Sequence, residues 1–134
     1  MQHLASYVLK LADGRNEPIK DLDGASRTIL VDEETVNANE ITFGHSRYEP
    51  KTSIHKKHTH RNAEEIIYIL SGRGVAGVND QETVVTSGDT IWVPKGAVHW
   101  FSNPFDEPCE FIFLYTKSSL EKAAYEMIDE DPHE

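Results

Sequence analysis

Cysteine is almost absent: Cys109 stands alone among 134 residues, so no internal disulfide can form. That fits a reducing, cytoplasmic setting, and a lone thiol beside an apolar strand reads as packing rather than as a nucleophile. Long apolar runs are missing too, and no stretch approaches the roughly 18 residues that a membrane span requires. The opening Met1-Gln2-His3-Leu4-Ala5 lacks a charged lead, an apolar core and a cleavage site, so no secretory signal is expected. Positive charge is scarce, with 13 Lys and Arg against 23 Asp and Glu and a formal net charge of −10. Neither nucleic acid nor an anionic membrane is therefore an expected partner. A Ser-His-Asp grouping, a phosphate loop and a dinucleotide fingerprint are all lacking. Composition shows no linker, repeat or low-complexity tract, and the length suits one domain around one sandwich- or barrel-like core.

What base and histidine there is sits unevenly. Five of the 13 Lys and Arg and four of the seven His fall between His45 and Arg61, with Glu49 the only acid there. Arg47, Lys51 and Lys56 in that run are candidate contacts to an anionic substrate. A solvated strand edge, where lysine discourages aggregation, is the competing reading.

The densest chemistry lies in His58-Thr59-His60-Arg61-Asn62-Ala63-Glu64-Glu65, followed by the apolar run Ile66-Ile67-Tyr68-Ile69-Leu70. On a strand, side chains two apart share a face, about 6.7 Å apart along the backbone. His58 and His60 could then converge on one cation at about 2.0–2.2 Å each, with Glu65 adding an oxygen from the next strand. A surface turn that happens to be rich in His and Glu is the bland alternative. Lys56 shares the parity of His58, which makes it a candidate for the same interior. Parity puts Ile67 and Ile69 on the metal side, and Ile66, Tyr68 and Leu70 on the other. That outer face needs cover from a second sheet or a partner chain.

A second stretch, Gly88 to Asn103, has the punctuation of strand, tight turn and strand, and His99 opens its last strand. Together the two stretches resemble the paired motifs of the cupin superfamily. The first motif is Gly, five residues, His-x-His, three or four residues, Glu, six residues, Gly. His58, His60, Glu65 and Gly72 match it, while Thr52 replaces the leading glycine. A non-glycine residue held in the left-handed region there would cost about 1–2 kcal/mol, a local matter for the turn. The second is Gly, five residues, Pro-x-Gly, two residues, His, three residues, Asn, matched by Gly88, Pro94, Gly96, His99 and Asn103.

The resemblance covers about Ile41 to Tyr115. It implies an all-β fold: a single cupin domain over 1–134, a double-stranded β-helix or jelly-roll barrel with its core over about 41–115. Strand candidates Ser6–Leu11 and Ser26–Val31 would extend one sheet, often across a homodimer contact. Val75–Val78 and Thr83–Val85 would pair as a hairpin across Asn79-Asp80, and Phe111–Tyr115 is the last strand candidate. A short C-terminal helix over about 119–130 is expected from Ser118-Ser119-Leu120-Glu121, which reads as a capping box. Leu120, Ala123, Ala124, Met127 and Ile128 follow at helical spacing.

Three imidazoles and one carboxylate, from His58, His60, His99 and Glu65, suit one divalent transition metal (Fe, Mn, Zn, Ni or Co) better than calcium. An octahedral ion would keep two adjacent positions open for substrate, unlike a closed structural zinc site. The resemblance does not select a reaction. Metal-assisted proton transfer, such as isomerisation of a small hydroxycarbonyl acid or acidic sugar, leads, with Glu64, Lys56 and Tyr115 as candidate bases. An iron-dependent dioxygenase and a non-catalytic binding protein are the alternatives. Trp92 and Phe101, with Trp100, are candidates for a substrate wall, or simply core.

Overall fold

The computed structural model describes residues 7–19, 23–52 and 57–128. Its elements are strands β1 (Arg15–Asn16), β2 (Ala25–Val31), β3 (Thr42–Tyr48), β4 (His58–His60), β5 (Glu65–Ser71), β6 (Arg73–Val78), β7 (Gln81–Thr86), β8 (Thr90–Val93), β9 (His99–Ser102), β10 (Cys109–Tyr115) and β11 (Tyr125–Met127). One short helix, α1 (Glu33–Val36), starts on Asp32, whose carboxylate accepts from the backbone N–H of Glu34 and Thr35. The strands form two antiparallel sheets, ordered β1-β2-β3-β10-β5-β8 and β11-β4-β9-β6-β7. From β3 onward, sequence neighbours alternate between the sheets except at the β6–β7 hairpin, which is the winding of a jelly roll.

Alternation decides what faces inward. In β3 and β10 every second residue is buried, and in β5 the inward set is Glu65, Ile67 and Ile69. Register sets Phe113 beside both Gly44 and Ile67, and Tyr115 beside Glu65. The interior thus fills with aromatic rings over a floor of isoleucine. Gly77 is small because the Trp100 ring occupies the place its Cβ would take. The β6–β7 hairpin closes with Val78 opposite Gln81, across Asn79-Asp80 as expected.

Asn103 joins three segments. Fully buried, it donates from Nδ2 to the carbonyls of Tyr48, Glu49 and Glu107 and accepts at Oδ1 from the Phe105 N–H. Thr52 lies beside it as an isolated bridge partner. The strain expected at Thr52 is not there: Lys51, one residue earlier, holds the left-handed turn at φ 60°. Thr52 instead donates its hydroxyl to the Glu49 carbonyl, so the turn is built without glycine.

Two expectations are corrected. Within Ser6–Leu11 the described residues form no strand; a single 3-10 turn at Leu11–Asp13 precedes the two-residue β1, because Gly14 N–H closes back on the Leu11 carbonyl. The helix expected over about 119–130 is also absent among the described residues. Ser119 does cap one turn by accepting from Lys122 N–H at 3.0 Å. Ala124 then takes φ 61°, which ends the turn, and Tyr125–Met127 becomes β11. The edge of β4 offers that segment a ladder, with Tyr125 opposite His60 and Met127 opposite His58. An isolated helix of about 12 residues is marginal in water, so the sheet edge prevails.

Candidate metal centre

His58 and His60 occupy the two ends of β4, Glu65 opens β5 and His99 opens β9. His58 and His99 are direct partners across the β4–β9 ladder, and their ring centroids lie 3.9 Å apart. His60 lies 5.2 Å from the His58 ring and 5.1 Å from that of His99. None of the four residues is more than 5% exposed. One donor atom from each can be chosen so that all lie within 4.8 Å of one another.

The electrostatics centre on Glu65. Burial alone would raise its pKa, but hydrogen bonds from His60 and His99 overcome this and hold it at about 2. It is a carboxylate at any ordinary pH, with Oε1 3.0 Å from His99 Nε2 and 3.5 Å from His60 Nε2. His99 Nδ1 faces the Ala97 carbonyl at 3.1 Å. Donating there fixes the ring and presents Nε2 to the centre of the cluster.

The donor set fits a metal. Bonds of about 2.1 Å meeting at right angles put neighbouring donors about 3.0 Å apart, and donors across the ion about 4.2 Å apart. Two nitrogens facing one buried carboxylate oxygen at 3.0 and 3.5 Å fall in that range. Such a set suits Mn, Fe, Co, Ni or Zn.

The cluster opens on a cavity of about 40 Å³ walled by Tyr48, Ile67, Phe101, Phe111, Phe113 and Tyr115, with Ser46 and Arg27 at one side. Phe101, a candidate wall residue, is there. So is Tyr115, whose ring centroid lies 4.6 Å from that of His60. Trp100, 7% exposed, also lines it and gives its indole N–H to Glu82.

Several candidates lie elsewhere. Trp92 is 59% exposed on the outer face of β8, because Ile91 and Val93 take the inward positions. Glu64 is likewise exposed and accepts from the Trp92 indole, so neither reaches the cavity. Arg47 points outward between buried Ser46 and Tyr48, held by Glu49 at 2.7 Å and Glu110 at 3.0 Å. Lys51 is exposed and pairs with Asp106. These positions correct the assignments of Glu64 as a base, Trp92 as a wall and Arg47 and Lys51 as substrate contacts: each is turned to solvent. Lys56 lies outside the described residues. Cys109 is buried, and burial followed by the charges of Glu110 and Glu107 pushes its thiol up to about 11, which keeps it inert. Sequence reasoning missed Ser46, Tyr48 and Phe111 as cavity residues. Their alternation along β3 and β10 was the available signal.

Residues 44–115 match the family described as Cupin domain. An uncharacterized protein of Methanocaldococcus jannaschii is 37% identical over 62 residues, which are 46% of this chain and 47% of that one. The match therefore spans about half the length of that relative. Among solved structures, the oxalate decarboxylase of Lactobacillus farciminis superposes with a TM-score of 0.70 at 21% identity, over 81% of this chain and 32% of its own. A predicted oxalate decarboxylase of Thermotoga maritima gives 0.67 at 23% identity, over 82% of this chain and 98% of its own. The Bacillus subtilis oxalate decarboxylase, studied for its Mn(II) centres, gives 0.66 at 22% identity, over 77% and 28%. At these identities the structures share the fold. With the family match spanning residues 44–115 of 134, both His-bearing stretches included, the chain belongs to the cupin domain family.

Proposed function

We propose that this chain is a divalent-metal-dependent enzyme acting on a small, oxygen-rich carboxylic acid, by decarboxylation or a related proton-transfer reaction. The observation that carries this reading is the buried cluster of His58, His60, Glu65 and His99 facing a cavity of only about 40 Å³. Room for a few water-sized groups favours an acid of two to four carbons over a sugar. Manganese is the metal this reading favours, since the Bacillus subtilis oxalate decarboxylase has Mn(II) centres.

Those four residues would hold the ion, and when bound it would polarise a carboxylate or carbonyl oxygen as a Lewis acid. The chain's own groups do the rest. Phe101, Phe111 and Phe113 exclude water and fix the substrate plane by contact. Glu65 and His99 stay fixed by their mutual contact, so little reorganisation accompanies reaction. Tyr115, alone of the three candidate bases, lines the cavity among the described residues, which supports it as the group that gives or takes a proton on the substrate.

The test is to measure bound metal, then to assay carbon dioxide release, isomer formation and oxygen uptake over oxalate, malonate, glyoxylate and small hydroxy acids. Oxygen-independent turnover of one of these acids supports the reading. Iron with stoichiometric oxygen consumption would replace it with a dioxygenase, and no turnover would replace it with a binding protein.

A further inference from the structure

The basic run between His45 and Arg61 does not supply a described cation to the cavity, but Arg27 does. Arg27 stands on β2 two residues before Ile29, which is 3% exposed, and so shares its inward face. Its register partner on β3 is Ser46, whose partner on β10 is Phe111, and all three line the metal-side cavity with His58, Glu65 and His99. Arg27 also borders a larger pocket of about 210 Å³ outside it, together with Tyr115 and Thr42. Arg27 and Tyr115 therefore form the wall common to both spaces.

The two arginines of the larger pocket differ. Arg15 is engaged by Asp32 at 2.8 Å and by Glu17 at 3.2 Å. Arg27 Nε is buried and has no hydrogen-bond partner among the described residues. A buried donor left unpaired is costly, and a guanidinium is a planar fork that meets a carboxylate through two parallel N–H bonds.

We propose that Arg27 is the carboxylate anchor of this site. It takes one carboxylate of a small acid through Nε and a terminal nitrogen, and leaves the other oxygens of that acid facing the His58, Glu65 and His99 side. The proposal rests on the function proposed above and narrows it, because the substrate must be anionic where it meets β2. The contact is equally present before and during reaction, so its loss falls on KM more than on kcat.

Titration calorimetry with oxalate, and with its neutral diamide oxamide as control, tests this on wild-type protein, Arg27→Gln and Arg27→Lys, each assayed for bound metal. Oxalate should bind Arg27→Gln on the order of tenfold to a hundredfold more weakly than wild type. Arg27→Lys should fall between, metal content should match in all three, and oxamide should not distinguish them. Equal oxalate affinity in wild type and Arg27→Gln overturns the anchor, as does a wild-type protein that ignores oxalate or binds oxamide equally well. Should Arg27→Gln not fold, Arg27→Lys decides by the same comparison, since it keeps the charge and loses the fork. Absence of metal in the wild type would sink the proposed function alone, and the oxalate comparison would then be read on the metal-free chain with the same outcomes.

Discussion

The indole Nε1 of Trp92 donates to the Glu64 carboxylate at 2.9 Å, outside the barrel, while the adjacent Glu65 meets His99 at 3.0 Å inside it. Two consecutive glutamates are thus sent to opposite faces. Glu64→Gln should leave metal content and turnover close to wild type, whereas Glu65→Gln should lose most of the metal. Elemental analysis of the two purified variants checks this. Equal retention in both would remove Glu65 from the metal shell.

Wild-type protein should carry close to one metal per chain, and His60→Ala or His99→Ala should lose most of it. Added metal should raise the melting temperature, since a ligand at 100 times its dissociation constant stabilises the folded state by about 2.7 kcal/mol. Calorimetry with and without a chelator measures the shift. Full occupancy in both histidine variants would refute the assignment.

Acid sensitivity of the metal-stripped protein should follow Glu65. Its folded pKa of about 2 lies below the ordinary 4.5, so the unfolded chain binds this proton more tightly. Its contribution is then complete above about pH 4.5 and is lost as the pH falls towards 2, on the order of 3 kcal/mol in all. Urea unfolding of the stripped protein between about pH 6 and 3 should show the loss, and Glu65→Gln should flatten the profile.

Asn103→Ala should destabilise the protein by about 3 kcal/mol, because the carbonyls of Tyr48, Glu49 and Glu107 would lose a buried donor together. Chemical denaturation measures it, and a loss below about 1 kcal/mol would mean that water replaces the amide at little cost.

We propose that the chain forms a homodimer through the outer face carrying Ile66, Tyr68, Leu70 and Trp92, which are 44, 41, 43 and 59% exposed. A mass measurement at micromolar concentration should give twice the chain mass, and Ile66→Asp with Leu70→Asp should halve it. A wild-type monomer at that concentration would refute the dimer.

The barrel strands were legible through alternation, and His58, His60 and Glu65 through the parity of a strand, while His99 was joined to them by the resemblance to the second cupin motif. The C-terminal segment was not legible. Leu120, Ala123, Ala124, Met127 and Ile128 satisfy a helical period, and only the open edge of a strand some 65 residues away turns that segment into β11. Arg47 and Lys51 misled for another reason, since clustering in sequence does not tell which face a charge takes. For Arg47 the cue was present, between inward Ser46 and Tyr48. Arg27 was equally open to discovery from its parity with Ile29, but lay far from the motifs.

The pairing of β11 with β4 also sets an order of events during synthesis. His58 and His60 remain on an unpaired edge until Tyr125 to Met127 have left the ribosome, and Asn62 N–H awaits the Ala123 carbonyl that receives it at 3.0 Å. The histidine strand is therefore fully held only after the last of its partners has been translated.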